Sequence, residues 1–277
     1  MNATDRLAPV LFVSHGAPTF ALEPGTLGRC LRAFGEQLTG IRAVLVVSPH
    51  WQTRGVQVMT GRQPETVHDF GGFPSVLYTL RYPAAGHPQL AAEAGRLLEQ
   101  AGLSVGFDAR RGLDHGAWVP LLHLLPNADL PVFQVSMPVD LDATGALQLG
   151  RALASLRAQG VMILASGSMT HNLHELDQTG AAAADYVVEF THWVRQVVTA
   201  HDTERLVNYR KLAPHAQRAH PTEEHFLPLL VAVGATSGGE MMQVVDGGVT
   251  YGVVSMETYV WGGLTKLQKP RMPDFIR

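Results

Sequence analysis

The chain has 277 residues, 46% hydrophobic and 16% charged, enough to bury a large α/β core. A formal net charge of −3 gives no electrostatic basis for binding nucleic acid or an anionic membrane surface, and no apolar stretch approaches the ~18 residues of a membrane span. Cys30 is the single cysteine, which excludes disulfides within the chain and thiolate-rich zinc or iron–sulfur sites; the 13 histidines agree that any metal must use nitrogen and oxygen ligands.

Met1 to Pro9 lack the basic and apolar regions of a secretion signal, so the expectation is a cytoplasmic protein. Val10-Leu11-Phe12-Val13 is then an apolar run that ends in Ser14-His15. Residues 26–38 read as a helix, with Leu27, Leu31, Phe34 and Leu38 at helical spacing and Gly40 as its stop. A second apolar run, 43–48, ends in Ser48-Pro49-His50, and 56–60 is a further strand. Residues 61–86, rich in Gly, Pro and aromatics, form a long ordered loop of the kind that is usually functional. A helix over 88–101 starts at Pro88 and closes at Gly102. Then come a strand at 103–107, a short helix at 118–125, a strand at 132–135 and a helix at 143–158. The third apolar run, 161–165, leads through Ser166 to His171. A long helix spans 182–200, another holds Pro221 in its first turn with Phe226, Leu229 and Leu230 on its inner face, and strands at 241–245 and 251–255 close the sheet. Alternating strands and helices, with no linker and no repeat, predict one α/β domain over 1–277: a mainly parallel or mixed sheet flanked by helices.

Ligands in open α/β sheets bind beyond the carboxyl ends of the strands. His15, His50 and His171 each follow an apolar run, so the pattern delivers three imidazoles to one sheet edge, and imidazole is the commonest protein ligand for a transition metal. Gly16-Ala17-Pro18 after His15 is a tight turn that allows close backbone approach to a ligand. His220 and His225 are five residues apart and do not share a helix face, so only one of them faces the site. His115, flanked by Asp114 and Gly116, reads either as a ligand or as an acid/base near its ordinary pKa of about 6.5. His171 is preferred over His174, and His68 with Asp69 is a candidate for substrate contact. His87, His123, His192, His201 and His215 are assigned to the surface or to helix packing. The glycine-rich dinucleotide fingerprint, the phosphate loop and the Gly-x-Ser-x-Gly elbow are all missing, which weighs against hydride transfer and serine hydrolysis.

Six blocks in order carry a resemblance: Leu11 to Pro18, Ser48-Pro49-His50-Trp51, Asp69-Phe70-Gly71-Gly72-Phe73-Pro74, Gly112 to Gly116, His171-Asn172-Leu173, and His220 to Phe226. Together they resemble the class III extradiol ring-cleavage dioxygenases, in particular the subgroup of 4,5-DOPA extradiol dioxygenases, over about residues 10–262. The resemblance implies a non-haem Fe(II) at the strand ends, with Zn(II) possible in the same site. It implies His15, His50 and His225 as ligands, with Glu224 an alternative for the third. His171 becomes a fourth ligand or the acid/base, and His115 assists the substrate, a small aromatic diol cleaved with O₂. Phe73 and Tyr82 of the aromatic loop, with His68, are the expected substrate contacts, and Arg81 either meets a substrate carboxylate or is simply exposed. A zinc-dependent hydrolase and a non-catalytic metal-binding relative are the competing readings. The sequence sets no oligomeric state.

Overall fold

The computed structural model describes residues 7–263 apart from 178 and 181. Its strands are β1 (Val10–Ser14), β2 (Ala43–Thr53), β3 (Val56–Met59), β4 (Val105–Asp108), β5 (Val132–Pro138), β6 (Val161–Gly167), β7 (Met242–Val245), β8 (Val249–Thr250), β9 (Val254–Ser255) and β10 (Thr258–Trp261). The helices are α1 (Gly25–Gly35), α2 (Pro88–Gln100), α3 (His115–Leu124), α4 (Ala143–Leu153), α5 (Asp185–Thr199), α6 (Thr203–Val207), α7 (Tyr209–Leu212), α8 (Ala216–Ala219) and α9 (Leu227–Ala235). Eight strands form one sheet in the order β4-β3-β5-β2-β6-β1-β10-β7. The central four, β5, β2, β6 and β1, run parallel; β3 and β10 pair antiparallel to β5 and β1, so the sheet is mixed. Every residue of β1 and β6 is buried, as strands covered by helices on both faces must be. This is a single α/β domain. Among the described residues no helix is long and apolar enough to cross a membrane.

Helix α3 starts at His115, ahead of the expected 118, α6 to α8 have no counterpart in the sequence reading, and four further departures have a local reason. β2 runs on to Thr53, and its pairing with β5 shifts between Val47 and Gln52, so His50 sits within a kinked strand rather than after it. The helix expected over 143–158 ends at Leu153 and tightens into a 3₁₀ turn, Ala154–Gln159, stopped by Gly160 at φ 80°. The helix expected to start near Pro221 instead begins at Leu227. Pro228 has no N–H to give to the carbonyl of Glu224, so it is tolerated only in a first turn, and residues 221–226 form turns that precede it. Residues 251–255 do not close the main sheet: β9 pairs only with β8, and β10 takes the place beside β1.

Candidate metal centre and active site

The parallel strands β2, β6 and β1 lie side by side and end at one edge, where they bring His50, His171 and His15 together. Ser14, the last residue of β1, donates its hydroxyl to Glu257 O at 2.6 Å and receives Met169 N–H at 3.0 Å, which fixes the exit of the chain into His15. Gly16 follows at φ 62°, where a Cβ would lie 2.8 Å from Met256 Cε. His115 opens α3, whose N-cap Asp114 accepts from Ala117 N. His225 arrives from the turns ahead of α9, held where Ser168 N–H reaches its carbonyl at 2.8 Å.

Hydrogen bonds fix the tautomers of His15, His115 and His225. Pro120 lies within α3 and has no N–H, so the carbonyl of Gly116 four residues back has no helical donor. The Ser166 hydroxyl donates to that carbonyl at 2.5 Å. Its proton committed, Ser166 Oγ can only accept from His15 Nδ1 at 2.9 Å, so His15 Nε2 carries a bare lone pair. His225 Nδ1 donates to Glu224 Oε1 at 2.9 Å, and its Nε2 is buried without a hydrogen-bond partner. Asp69 Oδ2 accepts from His115 Nδ1 at 3.0 Å and stands 3.5 Å from His50 Nδ1, so these rings too turn Nε2 away from the carboxylate. The Nε2 atoms of His15 and His50 are 3.2 Å apart. At that distance either His50 Nε2 donates to the bare His15 Nε2 or a cation joins the two nitrogens, and metal–nitrogen bonds of about 2.1 Å at a right angle would set them about 3.0 Å apart. The residues present therefore fit a metal ion.

Burial, then the neighbouring imidazoles, hold His15 and His225 well below the ordinary imidazole pKa, and His50 at about 4. His171 is lowered by the same desolvation, against the opposing charge of Glu224. These rings are neutral ligands or bases at physiological pH. For Asp69, burial pushes the carboxyl up, but the hydrogen bonds and charge of His115 outweigh it and hold the group at about 2.

The ring nitrogens of His15, His50 and His115 approach within 4.8 Å of one another, and so do the ligand atoms of His171, Glu224 and His225. The His225 ring centroid is 5.4 Å from that of His15 and 5.1 Å from that of His50, so the five imidazoles form one cluster. His171 stacks on His225 at 3.5 Å with 10° between the planes. The in-plane lone pairs of two parallel stacked rings run side by side and do not converge on one atom.

A cavity of about 370 Å³ opens beside the five histidines and is lined otherwise by residues such as Pro18, Phe70, Phe73, Leu173, Tyr251 and Val254. Phe70 meets His115 edge-on at 5.6 Å and Phe73 at 5.5 Å, so an aromatic wall adjoins the cluster. Phe73 lines the cavity. Tyr82 does not: it is buried, its hydroxyl donates to Leu125 O at 2.9 Å, and it packs away from the cavity. His68 also stands behind the wall rather than in it, packed against Phe70, Tyr78 and Trp118 within hydrogen-bond reach of Leu80 O. Arg81 donates to Tyr78 O and Leu80 O and takes no part in the lining. His220 is buried 2.9 Å from Met169 O, outside the cavity lining, which leaves His225 as the member of that pair facing the site. Sequence reasoning missed Ser166 and the role of Asp69. The signal for Ser166 was present, since each of the three apolar runs ends in a serine.

A group of neutral imidazoles at the carboxyl edge of a mixed α/β sheet, facing an aromatic-walled cavity, defines a metal-binding enzyme for a small flat substrate. Over residues 14–259 the chain matches the family described as the catalytic LigB subunit of aromatic ring-opening dioxygenase. It is 36% identical over 263 residues to the 4,5-DOPA dioxygenase extradiol of Beta vulgaris, covering 94% of this chain and 98% of that one. The protein of the same name from Escherichia coli K12 is 37% identical over 252 residues, covering 90% and 92%. A crystal structure of an uncharacterised Escherichia coli K12 protein aligns with a TM-score of 0.77 at 32% identity, covering 92% of this chain and 100% of that one. The chain belongs to the class III extradiol dioxygenases, enzymes that open an aromatic ring with O₂ at a catalytic metal.

Proposed function

We propose that His15, His50 and His225 hold one divalent metal, Fe(II) in the working enzyme, and that the adjoining cavity receives a catechol whose ring is opened beside its two hydroxyls. The observation that carries this reading is the convergence of the Nε2 atoms of His15 and His50, 3.2 Å apart, beside the buried, partnerless Nε2 of His225. The catechol diol is the chemistry shared by the DOPA dioxygenases that this chain resembles.

When bound, the metal supplies a Lewis acid for the diol and, as iron, a redox route between ring and O₂. In the overall reaction a ring carbon–carbon bond next to the diol breaks and both atoms of O₂ enter the product. The ring provides the electrons, so no nicotinamide or flavin is consumed. His171, neutral because of its burial, takes the proton that leaves a diol hydroxyl and returns it as the ring opens. Its stacking on His225 supports this role over that of a fourth ligand. His115, held by Asp69 through both backbone N–H at 2.8 Å and Nδ1, presents its Nε2 side to the substrate next to Phe70. The aromatic wall orients the ring and excludes water. Zn(II) suits the same nitrogen donors but has no accessible second oxidation state, so the zinc form should be inert towards catechols.

Metal titration of the protein and of single alanine variants tests the ligand set. The wild type should bind about one ion per chain, and His15→Ala, His50→Ala and His225→Ala should each lose most of that binding, while His115→Ala should retain it. Full occupancy in the first three would sink the assignment.

A further inference from the structure

Four described residues other than glycine hold a positive φ: Ala128, His201, His215 and Tyr251. Of these, Tyr251 lines the cavity of the five histidines. It stands in the turn between β8 and β9, where Val253 N–H closes onto Thr250 O at 3.3 Å. The two central residues, Tyr251 and Gly252, have φ of 51° and 67°. Positive φ at both central positions is the arrangement of a type I′ turn, for which Asn-Gly is the ordinary sequence. Asparagine and glycine enter the left-handed region with least strain, and a bulky aromatic residue does so rarely. Local propensity therefore weighs against tyrosine here, and residues that break a local rule in a native fold gather at functional sites.

Neighbours of His171 hold this turn in place. Thr170 donates its hydroxyl to Val253 O at 2.8 Å and accepts Ser255 N–H at 2.8 Å. Asp177 N–H reaches Tyr251 O and Ala184 N–H reaches Gly252 O, both at 2.9 Å. From this frame the half-buried Tyr251 side chain extends to the turn that follows His15, its hydroxyl 3.3 Å from Thr19 Oγ1. An O–H···O bond is ordinarily about 2.7–2.8 Å long, so Thr19 holds the phenol loosely. A phenol can donate and accept, and its ring shares the cavity wall with Leu173, Leu176 and Val254.

Taking the site as a catechol-opening centre, we infer that Tyr251 is a specificity-determining residue: its ring packs on the substituent carried by the catechol, and its hydroxyl turns from Thr19 to hydrogen-bond a polar group on that substituent. The diol goes to the metal among the imidazoles, so Tyr251 reads the part of the substrate that the metal does not.

The test titrates the Zn(II)-loaded full chain calorimetrically with 4-methylcatechol, L-DOPA and 3,4-dihydroxyphenylacetate, then follows turnover of the same three by the Fe(II)-loaded chain in air. L-DOPA or 3,4-dihydroxyphenylacetate should bind the wild type more tightly than 4-methylcatechol does. Tyr251→Phe should remove that excess, a loss of about 3–10-fold for one hydrogen bond, and leave 4-methylcatechol as it was. In turnover the loss should appear as a raised KM with kcat nearly unchanged. Tyr251→Asn puts the residue that a type I′ turn prefers in place of the ring, so it should unfold at no lower temperature than wild type while weakening all three catechols. No excess in the wild type, an excess that survives in Tyr251→Phe, an equal loss of all three catechols in that variant, or a Tyr251→Asn chain that binds them as wild type does, overturns the inference. A Tyr251-dependent excess with no ring opened by the iron form in air would instead overturn the ring-opening reading and leave the inference standing.

Discussion

The proton on His15 Nδ1 decides what its Nε2 can do. Ser166 must receive that proton because its own is given to Gly116 O, so a single hydroxyl sets the ligand nitrogen of a residue 151 positions away in sequence. Ser166→Ala should therefore lower metal affinity about 10–100-fold, the usual effect of losing a ligand's orienting partner, with little change in fold. A competition titration with a chelator reads this directly, and unchanged affinity would mean that His15 needs no such partner. His171 makes a different prediction: His171→Gln should keep the metal and lose roughly 10²–10⁴ in turnover, as removal of a general acid/base does. Loss of the metal in that variant would make His171 a ligand after all. At this scale the sequence was legible where chemistry and position coincide. His15, His50 and His171 follow apolar runs and come together at one sheet edge, whereas chain order alone left His220 and His225 undivided. Tyr82 and His68 were not legible, because residue type in an aromatic loop does not tell which rings face inward, and Tyr82 spends its hydroxyl on Leu125.

The elements show why a proline can be functional without touching a substrate. Pro120 leaves Gly116 O free inside α3, and Ser166 on β6 uses that carbonyl to hold His15 just past the end of β1. Proline in a helix normally reads as a disruption, so this coupling of three elements has no signature in local sequence. The same limit explains β10: Thr258–Trp261 was overlooked because the preceding 251–255 looked equally strand-like, and only pairing with β1 separates them. The late start of α9 was readable in principle from Pro228. Helices α4 and α9 pack with backbone against backbone, since a Cβ at Gly150 would lie 2.0 Å from Val231 O and one at Gly234 would lie 2.1 Å from Leu147 O. Gly150→Ala should thus force the helices apart and destabilise the fold by about 1–3 kcal/mol, measured by denaturant unfolding. A variant as stable as wild type would show that this contact yields easily.

The whole molecule concentrates neutral histidines in its interior, and that makes it acid-sensitive. His50 titrates at about 4 and buried His220 at about 3, both below the ordinary value near 6.5. A depressed folded pKa means that the unfolded chain takes up protons first. The stability of the metal-free protein should be fully present above about pH 6.5 and decline as pH falls through about 4 and then 3. Thermal unfolding of the metal-free chain between pH 7.5 and 3.5 should show that decline, and a flat profile would contradict the burial of these rings as neutral species. Bound metal should hold the profile up until protons displace it from the ligands. The most direct measurement of the central claim joins oxygen consumption to product formation. Loaded with Fe(II), the protein should consume one O₂ for each catechol and release a yellow ring-opened semialdehyde without nicotinamide, flavin or added reductant, while the zinc-loaded protein leaves the same catechol untouched. An iron form that consumes no O₂ with any catechol, beside a zinc form that hydrolyses an ester or amide, would contradict it.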